Sequence, residues 1–389
     1  MYRVNIMKKR ILLIVLRVLS YVLVAALAVG LTLLFGTNKL TQLETLIQSI
    51  YVDRAEVNWT ELEDAAAAAY VDALPDGWSY YVSADEYADY ESSRKNSFVG
   101  IGVSIQLTED DRIRILKVNA GGGAEKAGIL PGDILIEAAG QSLEGLTMDQ
   151  VTELIRGEEG TAVELAVLRG DQTLRFTVTR SRIQVQVVSY GMAAEGVGYV
   201  RIENFHDRSA EEAIAAVEDL RSQGARALIF DVRGNGGGYK DELVKLLDHL
   251  LPEGDLFKSV SYNGRVEVDT SDGSCVELPM AVLMDGNSYS AAEFLPACLK
   301  EYDWAITVGE PTVGKGHFQQ TFRLPDGSAV ALSTGKYYTP KGVNLSEAGG
   351  LTPDVAVEMN NETKAKLYGG ILSYEEDPQL QAAIAALTK

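Results

Sequence analysis

Two short runs of this chain, ALIFDV (227–232) and PMAVLMD (279–285), are almost wholly apolar, and each is followed by a polar turn and an amphipathic stretch. Strands without polar alternation are buried on both faces, as in a parallel sheet covered by helices. The surrounding pattern agrees. GYVRI (198–202) reads as a strand, and SAEEAIAAVEDLRSQG as a helix opened by Ser209 and Glu212 as a capping box and closed by Gly224. After ALIFDV come RGNGGG and the helix KDELVKLLDHLL; after PMAVLMD come GNSY and the helix SAAEFLPACLKEY. AITVGE, HFQQTFRL and AVALSTGKYY extend the sheet, with Asp326-Gly327 as a hairpin turn. The expected class is multidomain α/β, with helices on both faces of a mostly parallel sheet.

At the other end, residues 11–35, ILLIVLRVLSYVLVAALAVGLTLLF, are apolar apart from Arg17 and a few hydroxyls. Such a run predicts an N-terminal transmembrane helix. Residues 1–37 carry Arg3, Lys8, Lys9, Arg10 and Arg17 and no acid, which leaves −25 for the rest of a chain whose total is −20. The positive-inside rule then puts residues 1–10 in the cytoplasm and the body outside the cell membrane, on a single-pass anchor. A cleaved signal peptide ending at Ala26-Leu27-Ala28 is the alternative, but the apolar run continues past it. No cysteine follows the segment, so a lipoprotein has no support. A body this acidic, with no basic stripe, excludes nucleic acid as a partner. The two cysteines, Cys275 and Cys298, make no disulfide framework. No His/Cys/Asp cluster has ligand spacing, so neither metal nor cofactor is expected.

Residues 38–75 predict helices, with Thr60 and Glu63 as a capping box. From Phe98 the period changes to two: GIGVSIQL, RIRILKV and GDILIEAAG read as strands, TMDQVTELIRG as a helix, AVELAVLR and LRFTVTR as a strand pair. The stretch AEKAGILPGDILIEAAGQSLEGLT resembles a PDZ domain. The resemblance implies an α+β domain over 98–181, with a peptide groove between the strand from Gly100 and the helix at 147–156. Backbone N–H groups of Val99, Gly100, Ile101 and Gly102 would capture a C-terminal carboxylate there. The bland alternative is a small β-domain without a ligand.

Chemistry concentrates in three places. The glycines of RGNGGG fit no nucleotide loop, since neither GxxxxGK[ST] nor GxGxxG is present; they permit the close backbone approach an oxyanion hole needs. Ser290 stands where a strand hands over to a helix, which suits a nucleophile and equally an N-cap. Lys315, between two glycines, becomes a general base once desolvation lowers its pKa. Gln319 shares its parity and would face the same side of a regular strand, where it would orient the amine. His317 is the rival base, although no acid is placed to orient it; His206 and His249 read as surface residues.

GNGGGY, NSYSAAE, VGEPTVGKGHFQ and STGKYYTPKG…LTPDV together resemble the C-terminal processing peptidases, or tail-specific proteases. The family's serine and lysine lie twenty-five residues apart, as Ser290 and Lys315 do here. The resemblance implies Ser290 as nucleophile, Lys315 as base, Gln319 as orienting group, and Gly238 and Ala291 as oxyanion-hole amides. It further implies a ClpP/crotonase-like α/β peptidase domain over 182–357, begun within a helical region at 38–97, and a C-terminal helical segment at 358–389. The expected activity is a membrane-anchored serine endopeptidase that binds protein or peptide substrates by their tails, with the PDZ domain holding the Ser290–Lys315 pair inactive until a tail binds. The two terminal helical regions suggest a homodimer. Three residues depart from the pattern: Tyr289 stands where alanine is usual, Pro296 lies inside the following helix, and His317 replaces a small residue. The competing readings are a non-catalytic PDZ scaffold and, more remotely, a crotonase-like acyl-transfer enzyme.

Overall fold

The computed structural model describes residues 15–27, 38–108, 110–119 and 121–388. By packing, the chain divides into two compact units, Met1–Ala69 and Tyr70–Lys389. The first holds a helix at 15–27, the helix Lys39–Ile50 and most of Trp59–Asp72. Asn58, not Thr60, caps the last of these: its side chain accepts the Glu61 N–H at 3.3 Å.

The expected membrane anchor is corrected here. Among the described residues no helix is long and apolar enough to cross a membrane. Residues 11–14 and 28–35 lie outside the described residues. A single-pass protein with an extracytoplasmic body therefore has no support.

The second unit is built on a six-stranded sheet in the order Val188–Ala194, Val197–Ile202, Ala227–Asp231, Met280–Met284, Ala305–Gly309, Val355–Ala356. Every neighbouring pair is parallel except the first. Alternate side chains feed two cores. Leu228, Phe230, Val282 and Met284 pack beneath the helices Ser209–Ser222, Lys240–Leu250 and Ala291–Glu301. Ile229, Ala281 and Leu283 meet Leu380 and Ala383 of the helix Pro378–Leu387. That last helix is the C-terminal segment expected to pair between chains; its apolar face is occupied within the chain.

HFQQTFR and AVALSTGKYY do not extend this sheet. They form a hairpin, His317–Arg323 with Ala329–Tyr338, in a separate five-stranded antiparallel sheet. Gly254–Ser261, Val266–Ser271 and Tyr80–Val82 complete it. The last strand comes from before the PDZ-like region, so the chain's early residues help build the catalytic side of the molecule.

In the chain after Tyr80–Val82 comes a further six-stranded sheet, Val103–Leu107, Ile113–Val118, Ile134–Ala138, Ala162–Arg169 and Gln172–Thr179 with the short Gln141–Ser142 beside Ile134–Ala138, and the helix Met148–Ile155. Ser97–Gly100 pairs with Ser181–Gln184 at its base. The first groove strand thus begins at Val103 rather than Gly100.

Candidate active site

Ser290 immediately precedes the helix Ala291–Glu301 with φ +60° and ψ −127°, a left-handed setting that a side chain rarely adopts. It is held there by Glu293, three residues on, whose Oε2 accepts the Ser290 N–H at 3.1 Å. The helix continues through Pro296 to Glu301.

The glycine loop fits against this turn with no room to spare. A Cβ on Gly237, where φ is +82°, would stand 2.7 Å from the Ser290 Cβ, and one on Gly238 would strike the Phe205 carbonyl at 2.2 Å. The N–H groups of Gly238 and Ala291 donate to no other group among the described residues. Both residues line a cavity of about 560 Å³ together with Ser290, Lys315 and Gln319. The five residues expected to carry the chemistry are brought together.

Lys315 sits in a loop fixed at several points. Glu293 accepts the Lys315 N–H at 2.8 Å, the Gly314 N–H at 2.6 Å and the Thr312 hydroxyl at 2.5 Å. One buried carboxylate therefore ties the backbone of Ser290 to that of Lys315. Burial pushes the Glu293 pKa up, against the pull of these four donors. The Tyr337 hydroxyl donates to the Lys315 carbonyl at 2.6 Å. The glycines flanking Lys315 do not make room around the ammonium. They admit backbone and Asn344: a Cβ on Gly314 would meet Gly350 N at 2.8 Å, and one on Gly316 the Asn344 Oδ1 at 2.5 Å.

The Lys315 amine lies 4.9 Å from the centre of the Trp78 ring and 5.8 Å from that of Tyr289. It makes no ion pair or hydrogen bond among the described residues, to Ser290 or to Gln319 included. Burial, assisted by the Arg94 charge and opposed by Glu293 and Asp76, lowers its pKa to about 8. Arg94 stacks 4.4 Å over Tyr239 and donates to its hydroxyl at 3.1 Å. Asp76 titrates at about 2: burial would raise it, but bonds from Ser79 and Trp78 outweigh that.

Gln319 reaches the cavity by a route other than strand parity. The strand begins at His317, and a bulge lies between Phe318 and Gln319. Its Nε2 donates to Ser333 Oγ at 2.9 Å, which leaves Oε1 as the unengaged acceptor. His317 does not line the cavity; its Nδ1 is buried without a partner and burial lowers its pKa. His206, expected on the surface, does line it. His249 pairs with Glu218 at 3.1 Å. Sequence reasoning missed Glu293, Trp78, Asp76 and Arg94. Only Glu293 left a signal, an acid at the third helical position after Ser290.

A second cavity, of about 570 Å³, is lined by Val99, Gly100, Ile101, Gly102, Val103, Ile105, Thr152 and Ile155. The Ile101 and Gly102 carbonyls accept from Ala124 and Asn119, while their own N–H groups have no acceptor among the described residues. Ala88, Asp89 and Ser92 of the helix Tyr87–Arg94 form another wall. Among the described residues no group of three or more His, Cys, Asp or Glu side chains could hold a metal ion.

Comparison with known proteins gives the context. The description "Peptidase family S41" matches residues 196–357, and "PDZ domain" matches 114–169. The chain is 31% identical over 330 residues to the carboxy-terminal processing protease CtpA of Bacillus subtilis, covering 84% of this chain and 70% of that one. It belongs to peptidase family S41. It is thus a serine peptidase of the C-terminal processing kind, as its motifs led one to expect. The carboxyl-terminal-processing peptidase 2 of Arabidopsis chloroplasts is 30% identical over 314 residues, and the chain spans 61% of its length. A solved S41 protease structure from Bacteroides fragilis aligns at a TM-score of 0.50 over 86% of this chain and 92% of that one; at 19% identity it shows the fold alone.

Proposed function

We propose that this chain is an endopeptidase that cuts proteins near their C-terminal tails by a serine–lysine mechanism. Ser290 Oγ attacks the amide carbonyl while Lys315, neutral, takes its proton. The Gly238 and Ala291 N–H groups hold the oxyanion, and the protonated lysine then passes its proton to the leaving amine. Water, deprotonated by the same lysine, hydrolyses the acyl-enzyme. Gln319, through Oε1, orients the amine. The observation that carries this reading is the gathering of all five groups in one cavity, with both amides unoccupied. Contacts of this kind tighten around substrate, which is when Ser290 Oγ and the Lys315 amine would meet.

Substrate recognition is proposed for the PDZ groove. A tail would add as a strand beside Val103–Leu107, with its carboxylate on the free N–H groups of Ile101 and Gly102. The helix Tyr87–Arg94 lines this groove and, through Arg94, the catalytic cavity. That shared wall favours coupling between tail binding and Lys315.

The test uses casein and a peptide with a free apolar C-terminus, from about pH 6 to about pH 10. Cleavage by the wild type and none by Ser290→Ala or Lys315→Met supports the mechanism. Undiminished cleavage by Lys315→Met overturns it, and equal rates on the free-tail peptide and its C-terminal amide overturn PDZ recognition.

A further inference from the structure

The amine proposed as general base has an unusual set of neighbours. Lys315 Nζ has no carboxylate within ion-pair distance and donates no hydrogen bond among the described residues. Two aromatic faces are what it meets, Trp78 at 4.9 Å and Tyr289 at 5.8 Å. The rings are themselves neighbours, with centroids 5.7 Å apart and planes inclined by 30°. Trp78 comes from the turn that leads into the strand Tyr80–Val82, and Tyr289 from the residue before the nucleophile. Two distant segments thus converge on one amine.

We propose that Trp78 and Tyr289 are positioning residues that hold Lys315 as an ammonium away from Ser290, so that the lysine is released to act as a base only when it loses its proton. The proposal rests on Lys315 being the base. An aromatic face attracts a cation through its quadrupole and has no comparable attraction for a neutral amine. The same two rings that hold the charged form therefore let go of the neutral one. The neutral amine turns to the acceptors at hand, Ser290 Oγ and Gln319 Oε1, and the proton leaves to solvent through the open side of the cavity.

The other charged and titratable groups around Lys315 do not supply this hold. Arg94, on the helix Tyr87–Arg94, opposes the ammonium. Glu293 and Asp76 favour it at a distance, but each carboxylate is engaged by backbone and hydroxyl donors. His317 lies outside the cavity, and its charge on protonation opposes the ammonium; Tyr337 donates a hydrogen bond to the Lys315 carbonyl. Burial and Arg94 set a low proton affinity, and the rings offset part of it. Tyr289 is also one of the three departures from the family pattern, so this hold is a property of this chain rather than of the resemblance.

The experiment reads the alkaline limb of kcat/KM on the tail peptide. Tyr289→Leu keeps apolar bulk over the lysine and removes the negative face; Tyr289→Phe keeps the face. The midpoint is expected to fall by about half to one pH unit in Tyr289→Leu and in Trp78→Leu, and to stay in Tyr289→Phe. Placing trifluorophenylalanine at position 289 preserves shape while draining the ring's negative charge, and is expected to reproduce the leucine shift even if the leucine variants do not fold. An unmoved or raised midpoint in the folded leucine and the fluorinated proteins overturns the proposal. Lys315→Met separates the two failures. If it is inactive while the midpoints stay put, the aromatic hold alone is wrong; if it is active, the lysine mechanism falls and the hold with it.

Discussion

Glu293→Gln is the substitution with the most calculable outcome. The carboxylate takes four donors, two on each oxygen: Thr312 Oγ1 and the Gly314 N–H on one, the Ser290 and Lys315 N–H groups on the other. Glutamine keeps one acceptor oxygen and turns an NH₂ toward the remaining pair. The less costly orientation points that NH₂ at Thr312, whose hydroxyl can rotate to accept, and orphans only the Gly314 N–H. An unsatisfied buried donor costs about 1–3 kcal/mol, and the surviving bonds lose their charge assistance. The neutral amide recovers some of this, because burial already disfavours the ionised carboxylate. The net loss is about 2 kcal/mol, a fall in Tm of roughly 3 °C for a unit the size of Tyr70–Lys389. Because the lost bonds fix the Lys315 loop against the Ser290 turn, kcat is expected to fall at least about tenfold while KM changes less than about twofold. Thermal melts and steady-state kinetics on the tail peptide read both. A Tm within about 1 °C of wild type together with an unchanged kcat would refute the idea that this carboxylate sets the distance between nucleophile and base.

Three further outcomes are expected. Since Lys315 must be neutral to act and its pKa is lowered to about 8, kcat/KM should climb through that pH and level off above it; at pH 7 roughly a tenth of the lysine is neutral, against well under a thousandth at its ordinary value. A pH-independent rate from about 6 to 10 would contradict this assignment. Gly237→Ala forces a side chain into φ +82° and against Ser290, and should abolish cleavage while costing about 1–3 kcal/mol in a denaturant titration. Asp377→Ala leaves the fully buried Arg233 with one carboxylate fewer and should cost about 3–5 kcal/mol in the same assay.

The serine and lysine proposed to carry the reaction were legible because the chemistry proposed for them depends on local context that a motif records: a turn before a helix, a lysine between glycines, a fixed spacing. The parallel sheet was legible for a similar reason, since strands buried on both faces cannot disguise their composition. The groups that tune the lysine were not. Trp78 and Arg94 approach it across more than two hundred residues of chain, and an aromatic or an arginine carries no sign of what it will face. The strands Gly254–Ser261 and Val266–Ser271 passed unnoticed because strands of an antiparallel sheet with one solvated face mix polar with apolar residues, and these two read as loop. Gln319 lines the expected cavity, but not for the reason of parity: Lys315 precedes the strand and a bulge between Phe318 and Gln319 breaks the alternation. His206 looked like a surface residue because nothing local announces that a cavity will open beside it.

One buried cluster bears on the order in which the enzyme assembles. Arg233 opens the glycine loop and is clamped between Asp231, two residues before it, and Asp377, 144 residues after it. Until the later partner arrives, the guanidinium lacks part of its compensation and the loop that bears Gly238 has no reason to settle in its buried position. Contacts this remote along the chain form late, and a chain emerging from the ribosome meets them last. Ser290 and Lys315 are therefore synthesised well before the loop that completes their site can close. The close fit of Gly237 and Gly238 against Ser290 and Phe205 thus depends on a carboxylate some sixty residues beyond Lys315 in the chain.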